Sequence, residues 1–89
     1  MIRKIDTTSH FRKKFKQLDK KLRLVVAEEI AHFKEFPDDP VLNTHPIKDK
    51  FTGFHAFSVL PDLRIMFLYT KADFSEVTFY DIGTHEIYK

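Results

Sequence analysis

The sequence predicts an α+β domain in which a two-helix amino-terminal hairpin packs on a small twisted antiparallel β-sheet of three to four strands. Before residue 37, apolar residues recur at every third or fourth position, which is typical of amphipathic helices. After residue 50, Phe, Val, Ile, Thr and Tyr come in short runs, which is typical of strands. A length of 89 residues predicts a single domain, 1–89.

The first helix follows a short β-favouring segment, Met1 to Ile5, which is a possible edge strand. Thr7 to Ser9 supply side chains that suit a helix N-cap. The spacing of four, three and four residues between its apolar positions predicts one buried stripe. That stripe consists of Phe11, Phe15, Leu18 and Leu22.

The second helix is predicted to begin after Asp19, whose carboxylate can cap it, and to run to about Phe36. Pro37 and Pro40 prevent its continuation. Its predicted apolar face consists of Leu22, Val25, Val26, Ile30 and Phe33.

Three strands are predicted in the second half of the chain, with the sequences GFHAFSVL, LRIMFLYT and EVTFYDIG. The turn at Pro61 and Asp62 and the turn KADFS connect them. Connections of two to five residues permit only antiparallel hairpins, because a parallel crossover needs a dozen residues or more.

Composition excludes several classes of protein. Cysteine is absent, so neither a disulfide framework nor a thiolate site is available, and the cytoplasm is the expected compartment. The longest strongly apolar run, Ile65 to Tyr69, is far shorter than the roughly 20 residues of a membrane span, so no membrane partner is expected. The opening MIRK is followed by IDTTSH, which does not resemble a secretory signal.

Charge is distributed unevenly along the chain, although the net charge is only +2. Residues 1 to 23 contain nine Lys or Arg and two Asp, whereas the remainder contains six basic and eleven acidic residues. A basic amino-terminal surface suits a polyanion or an acidic protein partner, and a solvated helix face explains the same pattern equally well.

Absent motifs narrow the chemistry further. With only Gly53 and Gly83 the chain has no glycine-rich phosphate loop, and it has no G-x-S-x-G nucleophile elbow. Its five histidines lack metal-ligand spacing such as H-E-x-x-H. Neither a cofactor nor a metal is therefore expected.

Three histidines are predicted at strand ends and loops, where a rigid scaffold presents catalytic groups: His45, His55 and His85. With Asp62 and Arg64 they would supply imidazoles, a carboxylate and a guanidinium. That set suits RNA cleavage, in which a 2′-hydroxyl loses a proton, a phosphorane is stabilised and the 5′-oxygen is protonated. For each residue alone, a turn or surface role remains the simpler interpretation.

The order HPIKDKFTGFHAFSVLPDLRIMFLY, followed by IGTHEIY, resembles the RelE/ParE superfamily of type II toxin–antitoxin systems, and within it the YafQ-like messenger-RNA interferases. Members of that branch carry an H-P-L segment, a G-Y-R stretch that opens a strand, a P-D turn and a G-T-H near the C-terminus. The motifs cover about half of the chain, and the order of elements covers all of it.

The resemblance implies a ribosome-dependent endoribonuclease that cuts mRNA in the ribosomal A site without a metal and is silenced by an antitoxin in a hetero-oligomer. The loop histidine of the family falls on His45, its turn aspartate on Asp62 and its C-terminal catalytic histidine on His85. A ribosome partner also implies contacts with rRNA phosphates. The candidates for those contacts are Arg12, Lys13, Lys16 and Lys20.

Three positions depart from the family pattern. Ser58 replaces a strand histidine, Leu63 replaces the aromatic residue after the turn aspartate, and His55 replaces the arginine of G-Y-R. Arg64 is a possible substitute for the lost charge, and His55 for the lost imidazole; the other interpretation is a weaker nuclease.

The C-terminal GTHEIY suggests that Gly83 lets the last strand bend and so delivers His85 as general acid. Tyr88 either stacks on a base or packs against the core. Two alternatives stay open: a ParE-like inhibitor of DNA gyrase, which needs no imidazole at this position, and a catalytically weakened relative that mainly binds its antitoxin.

Overall fold

The computed structural model describes residues 1–88, apart from the side chains of Asp49, His85 and Tyr88, as two helices, five strands and three short 3₁₀ turns. The strands are β1 (Lys4–Thr7), β2 (His45–Pro46), β3 (His55–Leu60), β4 (Leu63–Tyr69) and β5 (Glu76–Gly83). The helices are α1 (Ser9–Gln17) and α2 (Lys20–Glu35), and the 3₁₀ turns are Pro40–Leu42, Asp49–Phe51 and His85–Tyr88. The α+β class and the helical hairpin are confirmed.

Both helices begin at capping side chains of the predicted type. The Thr8 hydroxyl accepts a hydrogen bond from the Phe11 N–H at 3.0 Å, and the Asp19 carboxylate accepts one from the Leu22 N–H at 2.8 Å. Each cap satisfies a backbone donor that has no partner within its helix. Within residues 1–88, no helix is both long enough and apolar enough to cross a membrane.

The buried face of α2 is narrower than predicted. Val26 and Phe33 are fully buried and Ile30 is half-buried, but Val25 is 38 % exposed. Adjacent helical residues point about 100° apart, so Val25 lies on the flank of the stripe that its neighbour Val26 forms.

The sheet has the strand order β1-β5-β4-β3-β2. The β3–β4–β5 antiparallel meander is confirmed. The sheet nevertheless has five strands and is mixed, because β1 pairs in parallel with β5. This pairing runs from Lys4 opposite Glu76 to Thr7 opposite Phe79. Both helices and three strands lie between β1 and β5 in the chain, which provides the length that a parallel crossover requires. The two-residue β2 forms the opposite edge of the sheet.

Four phenylalanines form the centre of the core between α2 and the sheet. The ring of Phe33 stacks on Phe57 with centroids 4.2 Å apart and contacts Phe67 edge-on at 5.1 Å and Phe79 at 5.9 Å. All four side chains are fully buried. The contacts join α2 to all three strands of the meander at one point.

The side of the sheet opposite the helices is covered only in part, and we call it the open face. A small cluster of Ile47, Ala56 and Met66 forms there, with Ile87 packed against it. Ser58 and Arg64 lie two residues away from Ala56 and Met66 on β3 and β4, so their side chains point to this same face.

Replacing Asp19 by Ala should lower the free energy of unfolding by about 1 kcal/mol, because the Leu22 N–H loses its acceptor. Urea denaturation measures the change. Asp6→Ala is the matched control, since its carboxylate is 55 % exposed and pairs with Lys4 only at 3.7 Å. Equal losses in the two variants would contradict the role of the cap.

Candidate active site

Arg64 occupies the middle of the open face. It lies on β4, the central strand, opposite Ser58 of β3 on one side and Gly83 of β5 on the other. Its Nε is buried and has no hydrogen-bond partner among the residues that the structure describes. A buried guanidinium N–H without an acceptor is costly.

His45 stands at the β2 edge of the same face, opposite Ala56. Its Nδ1 lies 2.7 Å from the carbonyl oxygen of Asn43. A carbonyl only accepts, so Nδ1 is the protonated nitrogen, and this bond orients the ring. With strands about 4.8 Å and residues about 3.4 Å apart, the Cα atoms of His45 and Arg64 are separated by about 12 Å.

Asp62 lies at the end of the site, in the turn between β3 and β4. The last residue pair before this turn is Leu60 opposite Leu63. Asp62 is exposed and precedes Arg64 by two residues in the chain. The turn therefore presents a carboxylate to solvent at the margin of the open face.

The C-terminal 3₁₀ turn folds back onto the open face. The Ile87 N–H bonds to the Thr84 carbonyl at 3.1 Å, and the Ile87 side chain packs against the cluster that contains Met66. His85 begins this turn, two residues after Gly83, which lies opposite Arg64. The side chains of His85 and Tyr88 lie outside the described residues, so the structure gives only the backbone position of these two candidates.

Gly83 is the point at which the C-terminal turn packs closely against β5. A Cβ atom at this position would lie 2.6 Å from Cγ2 of Ile87 and 3.3 Å from Nζ of Lys14. The first distance is too short for any real contact, so only glycine permits the turn to pack this closely on β5.

His55 lies on the opposite side of the sheet from Arg64. Its ring contacts Phe67 at 5.8 Å and Tyr69 at 5.0 Å, both of which belong to the helix-side core. The structure therefore separates His55 from Arg64 by the sheet, although His45 on the neighbouring strand is close enough to His55 to lower its pKa. The idea that His55 replaces the imidazole lost at Ser58 has no geometric support, because Ser58 lies on the open face.

The four basic candidates at the amino terminus are all exposed on the helices: Arg12, Lys13, Lys16 and Lys20. Arg12 is also structural, because its Nη1 donates to the Thr7 carbonyl at 2.6 Å and to the Thr7 hydroxyl at 2.9 Å. Lys14, by contrast, is half-buried and donates to the Asp81 carboxylate at 2.7 Å.

Tyr80 is a site candidate that the sequence reasoning missed. It is 42 % exposed, and its ring contacts Phe54 at 5.0 Å beside the open-face cluster. In the sequence, Tyr80 follows the core residue Phe79 on the last strand, so strand alternation predicts that its aromatic ring points away from the core. No group of three or more His, Asp or Glu in the described part of the chain is placed to hold a metal ion.

Solved structures share this arrangement of elements. YafQ from E. coli strain BL21(DE3) superposes with a TM-score of 0.74 at 20% identity, over 93% of each chain. The toxin–antitoxin complex RelBE2 from Mycobacterium tuberculosis matches with a TM-score of 0.76 at 13% identity, over 94% of this chain and 99% of that one. The E. coli DinJ–YafQ toxin–antitoxin complex matches with a TM-score of 0.72 at 20% identity, over 98% of this chain and 97% of that one.

The fold is that of the RelE/ParE toxins. The resemblance indicated by the motifs is confirmed at this level, and YafQ itself is among the matching structures. No protein-family model matches the sequence, and no curated protein matches it significantly. The RelE/ParE fold thus rests on the order and geometry of the elements, which match along nearly the whole chain.

Gly83→Ala should destabilise the protein by about 1–3 kcal/mol, because the new methyl overlaps Ile87. Adding Ile87→Ala to that variant should recover part of the loss, since it empties the contested space. Thermal and urea unfolding of the four proteins in the cycle measure the coupling.

Gly53→Ala is the matched control for this cycle. Gly53 has φ of +98°, and a methyl group added there would have no atom within 4 Å, so its substitution is strained by backbone conformation alone. Ile87→Ala should leave that cost unchanged. Purely additive effects at Gly83 would contradict the close-packing role.

Burial lowers the pKa of His55, and the nearby His45 lowers it further. The unfolded chain then binds the proton more readily than the folded one, so stability falls as pH decreases below the ordinary value of 6.5 and is unaffected by His55 well above it. His55→Phe keeps an aromatic ring against Tyr69 and should lose less stability between about pH 7.5 and about pH 5.5 than the wild type. Urea denaturation at both pH values tests this, and equal losses would contradict it.

Proposed function

We propose that this chain is the toxin of a type II toxin–antitoxin system and acts as an endoribonuclease that cuts mRNA in the ribosomal A site. Two of the structures that share its fold are toxin–antitoxin complexes. The observation that carries the nuclease assignment is the buried Nε of Arg64, which has no acceptor among the described residues and lies in the middle of the open face. A phosphate group provides the anionic acceptor that this donor needs.

The proposed reaction is an intramolecular transesterification. The 2′-hydroxyl gives its proton to a base, a bond forms between the 2′-oxygen and phosphorus, the bond between phosphorus and the 5′-oxygen breaks, and an acid protonates that oxygen. The products are a 2′,3′-cyclic phosphate and a free 5′-hydroxyl. Arg64 offsets the negative charge that develops on the phosphorane.

His85 is the proposed general acid, because its backbone follows the residue opposite Arg64. His45 and Asp62 are the candidates for the base: His45 is oriented by its bond to Asn43, and Asp62 stands at the margin of the face. An imidazole titrates near neutral pH and can serve at either step. His55 is left out of the site, because it lies on the other side of the sheet.

The basic residues of the helices provide the proposed contact with the ribosome. Lys13, Lys16 and Lys20 are exposed, so their ammonium groups are accessible to a large partner. A ribosome presents rRNA phosphates, which attract such a surface at long range. The antitoxin is proposed to silence the protein in a hetero-oligomer, as expected if its partner resembles those in the two complexes.

Primer extension on ribosome-bound mRNA tests the activity. The wild type should cut in the A site, and His85→Ala should cut about 10²- to 10⁴-fold more slowly, the range for loss of one acid or base. Arg64→Lys should also cut slowly, because lysine keeps the charge but loses the planar guanidinium. His32→Ala is the control, since His32 bonds to Asp39 at 2.8 Å on the far helix.

The outcomes of this experiment separate the alternatives. Equal cutting by wild type and His85→Ala would keep the reaction and reject His85 as its acid. Absence of cutting by a folded wild type would reject the nuclease and make inhibition of DNA gyrase the next assay.

The double variant Lys13→Glu/Lys16→Glu should bind ribosomes more weakly and with a smaller salt dependence, because two phosphate contacts are lost. Arg12 is kept in this variant so that its bonds to Thr7 remain intact. Ribosome co-sedimentation at several salt concentrations measures the slope. Glu35→Lys, an exposed change at the end of α2, is the control for an altered surface charge outside the basic candidates. An unchanged salt dependence of ribosome binding in the double variant would refute the basic surface.

A further inference from the structure

A second concave region lies on the helix-facing side of the sheet, away from the open face. It is a cavity of about 430 Å³ formed where β3 begins, β4 ends, and the segments after α2 and after β4 converge. We call it the Tyr69 cavity. The lining residues that matter for its chemistry are Met1, Asp38, His55, Tyr69, Asp73 and Phe74.

Aromatic rings form one wall of the Tyr69 cavity. The Tyr69 ring meets Phe74 at 4.8 Å and His55 at 5.0 Å, each nearly edge-to-face. Phe74 is 63 % exposed and has φ of +62°, a conformation that bulky residues rarely adopt. The turn thus holds a large apolar ring at the cavity rim instead of burying it, which is a pattern found at binding sites.

Two carboxylates and the N-terminal ammonium of Met1 line the cavity, so negative charge is in excess by one. Burial raises the pKa of the Tyr69 phenol, and the charge of Asp38 raises it further, which shows that Asp38 acts on the cavity wall. Asp73 is held in place by the Ser75 hydroxyl at 2.6 Å and the Ser75 N–H at 3.1 Å. Arg3 lies close enough to act weakly on Asp73, but none of the lining residues in the described part of the chain is Lys or Arg.

His55 also lines this cavity. Its Nδ1 is buried and has no hydrogen-bond partner among the described residues. Burial lowers the pKa of His55, which favours the neutral ring, and a neutral imidazole has one nitrogen that accepts a hydrogen bond.

We propose that the Tyr69 cavity binds the side chain of an arginine presented by a partner protein. A planar guanidinium can stack on the ring of Tyr69 or of Phe74 and donate at the same time to a carboxylate. The compact ammonium of lysine matches the stacking surface less well. Asp38 and Asp73 disfavour phosphate-bearing ligands at this cavity.

This site is independent of the proposed nuclease, because it lies on the other side of the sheet from Arg64. A partner bound at the Tyr69 cavity therefore leaves the open face accessible.

Heteronuclear NMR titration of the full chain with N-acetyl-arginine N-methylamide tests the proposal. Shifts should be confined to residues around the cavity, with saturation in the range of about 1 mM or weaker that suits a single side chain. The citrulline analogue, which has the same shape without the charge, should bind more weakly, and so should the lysine analogue. Uridine 3′-monophosphate should cause no shifts at these residues.

Asp38→Asn and Phe74→Ala should each weaken binding of the arginine analogue, the first by up to about fivefold. Both residues are exposed, so the variants should fold, which the remaining NMR resonances verify. Asp6→Asn, an exposed carboxylate on β1 outside the cavity, should bind like the wild type. If the citrulline analogue binds as well as the arginine analogue, recognition of the charge is overturned. If the lysine analogue binds equally well, the choice of arginine is overturned. If no shifts occur, or if they are centred on the open face, the site itself is overturned.

Discussion

The aromatic contact between Phe33 and the three strands of the meander is the constraint on which the rest of the structure depends. Phe57, Phe67 and Phe79 come from β3, β4 and β5, and each touches the same ring of α2. Loss of a buried phenylalanine typically costs about 3–5 kcal/mol, against a total stability of about 5–15 kcal/mol for a domain. The position of the helices on the sheet therefore depends on one side chain more than on any cap or ion pair.

Because the helices occupy one face of the sheet, the residues that alternate with the core are displayed on the other. Along β4, Ile65 and Phe67 enter the helix-side core, and Arg64 and Met66 take the open face. The register shift in β5 places Phe79 and Asp81 opposite consecutive residues of β4. The extra residue of β5 points the side chain of Ile82 into the core and places Gly83 opposite Arg64. Bulges often change the direction of side chains next to functional sites in this way.

The two sides of the sheet differ in charge, and that difference separates their chemistry. The open face has the guanidinium of Arg64 at its centre, and its buried Nε lacks a partner among the described residues. A guanidinium suits a phosphate. The Tyr69 cavity has two carboxylates and aromatic walls, which suit a cation. The basic candidates of the helices, Arg12, Lys13, Lys16 and Lys20, are exposed as well.

The sequence by itself determined the features that depend on neighbouring residues: the caps at Thr8 and Asp19, the end of α2 before Pro37, and the short hairpins of the meander. It also indicated that His45, Asp62 and His85 stand at strand ends and turns, because turn and strand composition is local. Tertiary structure decided the parallel pairing of β1 with β5, the placement of His55 and Arg64 on opposite faces, and the close packing of Gly83 on Ile87. Each of these depends on strand register or on contacts between segments far apart in the chain, and local residue preferences carry no information about either.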